Sequence, residues 1–405
     1  MHTRFTRFAV VVAVTAGFST SAFAITPQNI RISDGVFFTP TLQIEERHDD
    51  NIFAAEKKRK SSWVTVIEPS FALSLDRAKS AYQLKYSLSS KSFHSISSNN
   101  YIDHHLTADT GFEFNSRNRL LLNAGYHKLQ DTATDQSYTG DKPKNDKWNT
   151  KNIGGIYTYG ARTARAQIDL GLNYDELRYD NNSNKSSDRD AVSGVVTGYY
   201  AITPKTKLLL EGRYTDYGYK NDKERDSANK ALLAGMTWEA TAKTTGTVKI
   251  GREKKDYKNS STNYKDTSTG MWEAGVTWAP RTYSTFTLQT RRGFDEGNYT
   301  DFDNVDPFGD TELVTSTSKT VETSLGWKHY WMEHLYSDAE YRRIDRKYQN
   351  VKRDDKIDQY GLGLTYEMRR WLDIGIGFTH RENDSDVKNN SYKRNIYALT
   401  FNISL

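Results

Sequence analysis

The chain has 405 residues, a formal charge of +5 and no cysteine, so neither a disulfide framework nor a thiolate metal site can hold it together. Only 36% of its residues are hydrophobic, yet 13% are aromatic, and past the amino-terminal segment no run of about 18 apolar residues could cross a bilayer as a helix. A helical membrane protein is thereby excluded, and the near balance of charge does not suggest a nucleic-acid partner.

Arg4 and Arg7 precede an apolar stretch from Phe8 to Gly17, and Ser21-Ala22-Phe23-Ala24 supplies a small-residue cleavage site. This is the pattern of a secretory signal peptide, residues 1–24, cut after Ala24. Its removal leaves 54 basic against 51 acidic residues. Residues 25–34 are expected to be a short periplasmic segment ahead of the first strand, and residues 35–405 a single barrel.

From Gly35 onward, apolar and polar residues alternate in stretches of roughly 10 to 15, the period-2 mark of a sheet with two unlike faces. Leu120, Leu122, Ala124 and Tyr126 oppose Asn123, Gly125 and His127; Ile168, Leu170, Leu172 and Tyr174 oppose Gln167, Asp169, Asn173 and Asp175. Tyr360 to Tyr366 and Leu372 to Phe378 repeat the pattern, with Gly, Thr and charged residues on the second face. The connections alternate strictly in length. Short ones lie at residues 76–79, 115–118, 160–163, 203–205, 241–243, 280–282, 330–334 and 368–370. Longer polar ones lie at residues 47–61, 95–101, 131–146, 180–188, 220–226, 258–265, 297–312, 349–354 and 384–390. This predicts an all-β, antiparallel up-and-down transmembrane β-barrel of about 18 strands in the outer membrane, with short periplasmic turns and longer extracellular loops.

Aromatic residues bunch at strand ends as two interfacial belts would require. Tyr157, Tyr159, Tyr200, Trp238, Trp278, Tyr283, Trp327, Tyr366 and Trp371 lie by the short turns; Tyr126, Tyr174, Tyr214, Tyr257, Phe294, Tyr341 and Tyr392 lie by the long loops. In the last strand Tyr397, Phe401 and Leu405 fall on the oily face, the alternation that barrel-assembly machinery recognises in outer-membrane proteins. A soluble propeller would need four short strands in each repeat of roughly 40 residues, where this chain has two long ones.

A barrel this wide leaves an aqueous channel unless something plugs it. Alternation turns Lys85, Asp109, Glu113, Lys207, Glu211, Arg213, Lys249 and Glu273 to the lumen. It also turns Arg291, Glu322, Asp338, Glu340, Arg342, Asp373 and Arg381 inward. Such a mixed lining is not built for a strong polyanion, which calls for Arg and Lys throughout. It suits a hydrated polymer or small polar solutes, with most facing charges pairing across strands. The first long loop carries Lys57-Lys58-Arg59-Lys60, which could engage phosphates on lipopolysaccharide or be a solvated tip. The stretch Asp301 to Asp306 with Asp310 and Glu312 departs from a calcium loop at Val305 and Asp306, so no metal is assigned. The nine histidines are scattered, with no G-x-S-x-G or H-E-x-x-H, so no catalytic residue and no cofactor is assigned and the chain is not read as an enzyme.

Two stretches carry a family resemblance. Residues 40–44 leading into Asp49-Asp50-Asn51-Ile52-Phe53, followed by residues 66–71, resemble the opening of the beta-barrel porins of type 2, and residues 99–104 resemble that family's next landmark. The resemblance implies an outer-membrane component of an exopolysaccharide or capsule cluster. It would act as the terminal channel with a separate periplasmic polysaccharide-export protein, with no catalytic residue. A general diffusion porin for small polar solutes is the alternative, and a surface receptor or outer-membrane enzyme a third. The motif at residues 49–53 is expected to shape the first loop.

Overall fold

The computed structural model describes residues 28–130, 146–180, 182–241, 243–259, 264–296 and 317–404. The expected signal peptide, the calcium-like stretch and Leu405 lie outside them. The strands are β1 (Ile30–Ser33), β2 (Val36–Asp49), β3 (Ser62–Asp76), β4 (Ser80–Phe93), β5 (Tyr101–Asn115), β6 (Asn118–Gln130) and β7 (Lys147–Tyr159). They continue as β8 (Ala166–Tyr179), β9 (Arg189–Thr203), β10 (Thr206–Tyr219), β11 (Ser227–Thr241), β12 (Thr244–Tyr257) and β13 (Thr267–Arg281). The last six are β14 (Ser284–Asp295), β15 (Ser318–Met332), β16 (Leu335–Tyr348), β17 (Asp354–Arg369), β18 (Leu372–Ser385) and β19 (Tyr392–Ser404). Among the described residues there is no α-helix.

From β2 to β19 each strand pairs antiparallel with the next, and β19 pairs with β2 from Thr41↔Ser404 to Asp49↔Ile396. Eighteen strands thus close on themselves. Closure is what a membrane demands, because an open edge in hydrocarbon leaves backbone groups costing several kcal/mol each. A strand of about 14 residues rising ~3.3 Å each and tilted about 40° reaches about 35 Å, enough to cross an apolar band of about 25 Å.

The segment expected to lie ahead of the barrel contributes a strand of its own. β19 covers β2 only as far as Thr41, and β1 takes up the same edge beyond it, through Ile30↔Phe38 and Arg31↔Phe37. Gly35 makes the reversal at φ 74°, where a Cβ would sit 2.4 Å from the carbonyl oxygen of Asp76. Gln28 then donates its backbone N–H to the Ser404 hydroxyl at 2.7 Å, tying this segment to the last strand.

The register fixes which side chains face outward. Leu172 is 73% exposed and Ile250 67%, values that suit side chains meant for lipid. Trp278 stacks on Phe286 and Phe286 on Trp327 at the short-turn rim, where Tyr159, Tyr200, Tyr283, Tyr366 and Trp371 are also exposed. At the long-loop rim the expected belt needs correcting. Tyr126, Tyr174 and Tyr214 are exposed, but Tyr257 and Tyr392 face inward: Tyr257 pairs with buried Ser227 and its ring lies 5.1 Å from the Lys255 ammonium, and Tyr392 pairs with buried Asn383. Both follow the parity of their strands, Tyr257 sharing the face of Lys249 and Tyr392 lying opposite that of Tyr397, so nearness to a long loop does not by itself put a ring on the lipid side.

Candidate functional site

The inner wall of β10 to β16 carries two groups of ion pairs that adjoin at the cross-strand neighbours Glu273 and Arg291. Arg213 on β10 holds Glu273 on β13 with two hydrogen bonds of 2.5 and 2.8 Å and Glu211 on its own strand at 2.5 Å. Lys249 on β12 bridges the same carboxylates, 3.3 Å from Glu211 and 2.6 Å from Glu273. It reaches across β11 because Gly235 lies opposite it; a Cβ there would come within 2.1 Å of the Val248 carbonyl oxygen and 3.0 Å of Lys249 itself. Glu273 faces Arg291 across β13 and β14, and Arg291 donates to Glu322 on β15 at 2.9 Å. Arg342 on β16 completes the row by donating to Glu322 at 2.8 Å. Four cations and three carboxylates so alternate, each carboxylate held from more than one side. Bidentate Arg–carboxylate geometry is among the stronger charge-assisted contacts.

These seven are the sequence-derived lumen residues that the fold brings together; the other eight also lie on the inward face but apart. Lys85 faces Ala72 and Thr107, Asp109 faces Gln83 and Asn123, and Glu113 faces Arg119. Lys207 donates to the Gln167 side chain. Asp338 lies opposite Lys328 and Gly363, Glu340 opposite Gly326 and Gly361, and Asp373 opposite Glu367 and Asn402. Arg381 sits between Gln359 and Arg394, so it carries the polar row from Arg342 toward the seam of the barrel.

At that seam the motif of residues 49–53 ties the first long loop into the mouth. Arg394 on β19 donates its Nε to both carboxylate oxygens of Asp49 at 3.0 Å and a terminal nitrogen to one of them, and both side chains are almost wholly buried. Asp50 accepts from the backbone N–H and the side-chain amide of Asn395 at 2.7 and 2.6 Å. Asn51, with no exposed surface, accepts from the backbone N–H of Ala55 and donates to the carbonyls of Ala55 and Lys393, each at 2.9 Å. Ile52 and Phe53 then pack against inward-facing Val64, Val66, Phe93 and Tyr101 of β3, β4 and β5. The loop therefore turns into the barrel. Lys57 to Lys60 stay exposed, with the Lys60 ammonium 5.7 Å from the Phe53 ring.

The sequence matches the family described as Putative beta-barrel porin 2 over residues 32–404. The chain belongs to that family. No curated protein matches it. Among solved structures it is similar to OccK2 (OpdF) of Pseudomonas aeruginosa, at 10% identity and a TM-score of 0.50, with 92% of this chain and 98% of that one covered. The same protein in complex with glucuronate matches at 10% identity and a TM-score of 0.50, with 91% and 98% covered. OpdO of the same organism matches at 11% identity and 0.49, with 92% and 98% covered. At such identities the likeness is one of fold. A closed barrel of the porin family sits in the outer membrane, with short turns periplasmic and long loops outside.

Two inner-wall features of the porin escaped the sequence. One is Arg394, the partner of Asp49; it sits two residues into β19, where Lys393, Arg394 and Asn395 give no alternation to read. The other is a buried polar cluster at the extracellular end, around Glu296 just past β14. Glu296 pairs with Lys255, accepts from the Tyr219 hydroxyl at 2.8 Å and from the Thr317 hydroxyl at 3.3 Å. Arg225 donates to the Tyr219 hydroxyl at 3.1 Å and lies 4.2 Å over its ring. Burial pushes the Glu296 carboxyl up, but Lys255, Arg189 and the Tyr219 hydroxyl outweigh it and hold the group below its ordinary range. Its partners come from four separate strands and connections, which no linear spacing displays. Among the described residues no group of three or more His, Asp or Glu is placed to hold a metal ion.

Proposed function

We propose that this porin passes an exopolysaccharide or capsular polysaccharide to the cell surface without chemistry, working with a separate periplasmic polysaccharide-export protein. The observation that carries the reading is the balanced row of ion pairs along β10 to β16. A lining of Arg and Lys throughout would suit a strong polyanion. Cations and carboxylates that already answer one another still offer donors and acceptors to a hydroxyl-rich, hydrated chain, without a deep electrostatic well along its path. The family resemblance supplies the polymer class and the periplasmic partner. Outer-membrane lipid, lipopolysaccharide and the barrel-assembly machinery are the remaining partners of this reading.

A general diffusion porin for small polar solutes is the second reading. Arg291 favours it, since its side chain is 49% exposed on the inner wall and offers a charged group to any solute that enters. The two readings part on one experiment. The gene is deleted, polymer is measured outside the cell and in the periplasm, and the intact chain is restored. Loss of polymer outside, with accumulation or feedback shutdown inside, supports export. Unchanged polymer overturns it, and solute uptake into proteoliposomes then tests the diffusion porin.

A further inference from the structure

We propose that the lipid-facing side of β11 to β15, where its oily band ends toward the long loops, holds a phosphate-bearing glycolipid of the outer leaflet. The site gives an address to one partner of the reading above, lipopolysaccharide. It rests on the barrel standing in the outer membrane and not on what passes through it.

The outward residues of these strands change character along one line. On its periplasmic side Leu232, Val248, Ile250, Leu288 and Leu325 are apolar and exposed. At the line stand Lys230, Arg252, Lys254, Arg292 and Lys319. Lys230 lies directly opposite Lys254 across β11 and β12, and Lys319 opposite Lys347 across β15 and β16. Like charges so placed cost stability, and a bound anion would offset that cost. Asp256 lies 3.1 Å from Lys230 and also pairs with Lys254, one carboxylate for two ammoniums. Asp266, the other acid beside Lys254, accepts the Tyr257 backbone N–H at 2.9 Å.

The remaining three cations are answered by no acid. Arg252 donates to the Ser268 hydroxyl at 2.9 Å, Arg292 lies 5.3 Å over the Trp272 ring, and Lys319 lies 5.7 Å from the Phe294 ring. Among the described residues none of them has a carboxylate partner, and the Arg292 Nε is closed off from solvent without a hydrogen bond. Elsewhere on the same rim the cations are matched: Lys151 by Glu176 at 2.9 Å, Lys258 by Asp216 at 2.7 Å, Arg343 by Asp345 at 3.2 Å and Lys347 by Asp354 at 3.4 Å. The excess is local to β11 to β15.

Between the two arginines the face is open. Gly270 pairs with Arg252, and Trp272, the next outward residue on β13, pairs with Arg292. A Cβ built on Gly270 meets nothing within 4 Å. Guanidinium forks match phosphate oxygens in geometry as well as charge. Below them Leu232 and Ile250, 61% and 67% exposed, continue the same face as an apolar track. Cations above such a track select an amphiphile, with its phosphate at the line and its acyl chains beneath. A soluble anion makes no use of the track, and a polymer in the lumen does not meet this face.

The test is native mass spectrometry of the full-length barrel refolded in detergent, with heat-modifiable gel migration to certify folding. The probes are diphosphoryl lipid A, the same lipid stripped of both phosphates, and phosphatidylglycerol. Diphosphoryl lipid A should be retained, and removal of its phosphates should weaken retention about tenfold or more. R252Q/R292Q should lose diphosphoryl lipid A to the same extent, and so should G270E, which sets a carboxylate in the open space. K151Q/K220Q, which removes as much charge where carboxylates already answer it, should stay within about twofold of wild type. Retention that survives loss of the phosphates, phosphatidylglycerol held as firmly as lipid A, or R252Q/R292Q binding like wild type overturns the site. Should R252Q/R292Q fail to fold, G270E decides, since it removes no contact. No polysaccharide enters this experiment, so its failure leaves the export reading standing, and failure of the deletion experiment leaves the lipid site standing.

Discussion

The inner wall of this barrel carries two unlike kinds of packing, apolar clusters near the extracellular rim and ion pairs at mid-height. On β3 to β8 apolar clusters interrupt the polar lining toward the long loops, with Val64, Val66, Phe93 and Tyr101 under the first loop beside buried Lys91 and Asp103, and Leu129, Trp148, Leu177 and Tyr179 packed together farther round. Along β10 to β16 it is ionic, with Glu211, Arg213, Lys249 and Glu273 in one ion-paired group and Arg291, Glu322 and Arg342 in the next. The difference teaches what each side needs. Apolar side chains turned into a wet lumen must be covered, and here the cover comes from the chain's own loop and from neighbouring rings. Paired ions need no cover, so that side can stay open to whatever passes.

Breaking the junction between the two sides should have the largest effect on stability. Asp49→Ala leaves Arg394 buried without its carboxylate, and removal of one partner of a buried pair costs about 3–5 kcal/mol. Urea titration of the refolded barrel in detergent should show it directly. On the apolar side, Trp148→Ala removes a ring that is 1% exposed and packs on Tyr179 at 5.9 Å. A truncation of this kind costs about 3 kcal/mol or more where the site cannot collapse, so the urea midpoint should fall nearly as far. A midpoint within error of wild type would mean that the apolar cluster is solvated in the working barrel.

How much of this was legible before folding depended on where alternation was clean. From Ile168 to Tyr174 in β8 and from Tyr360 to Tyr366 in β17 every second residue is apolar, so those outward faces could be assigned one by one. The inward row followed by the same parity, but not its connectivity: that Arg213 would reach Glu273 three strands away depends on barrel curvature and on Gly235 leaving room. At the rims the pattern fades. Arg394 sits among polar residues on both faces, so the partner of Asp49 could not be read, whereas the inward turn of Tyr257 and Tyr392 follows the parity of Lys249 and Tyr397 and was obscured only by their nearness to the loops. The family-like motif pointed at the first loop, yet its direction into the barrel came only from what Ile52 and Phe53 pack against. β1 was missed because four residues are too few to show a period.

A smaller effect is expected at the Glu296 cluster, and it should depend on pH. Glu296 is held below its ordinary range by Lys255, Arg189 and the Tyr219 hydroxyl, against burial. A carboxylate depressed in the folded state stabilises fully above its unfolded value of about 4.3 and loses that contribution as pH falls through the folded value. The intact porin should therefore lose urea resistance only below the usual carboxylate range, and Glu296→Gln should flatten that acid limb while lowering the neutral plateau. An unchanged acid limb would show that the cluster does not contribute to stability.

The smallest change in stability, and the most informative about transport, belongs to Arg291→Ala. Its side chain is half exposed, and pairs of that kind contribute about 1 kcal/mol or less. Its removal leaves Glu322 with Arg342 at 2.8 Å and Glu273 with Arg213 and Lys249, and takes from Asp295 only a contact at 3.6 Å. The barrel should fold and resist urea almost as wild type does. The row, however, passes from four cations against three carboxylates to an even count, so the reversal potential in a potassium chloride gradient should move toward cation preference. Arg291→Glu should move it further in the same direction. If neither substitution shifts the reversal potential, ions do not pass along the ionic side of the wall, and the path must run against the opposite side.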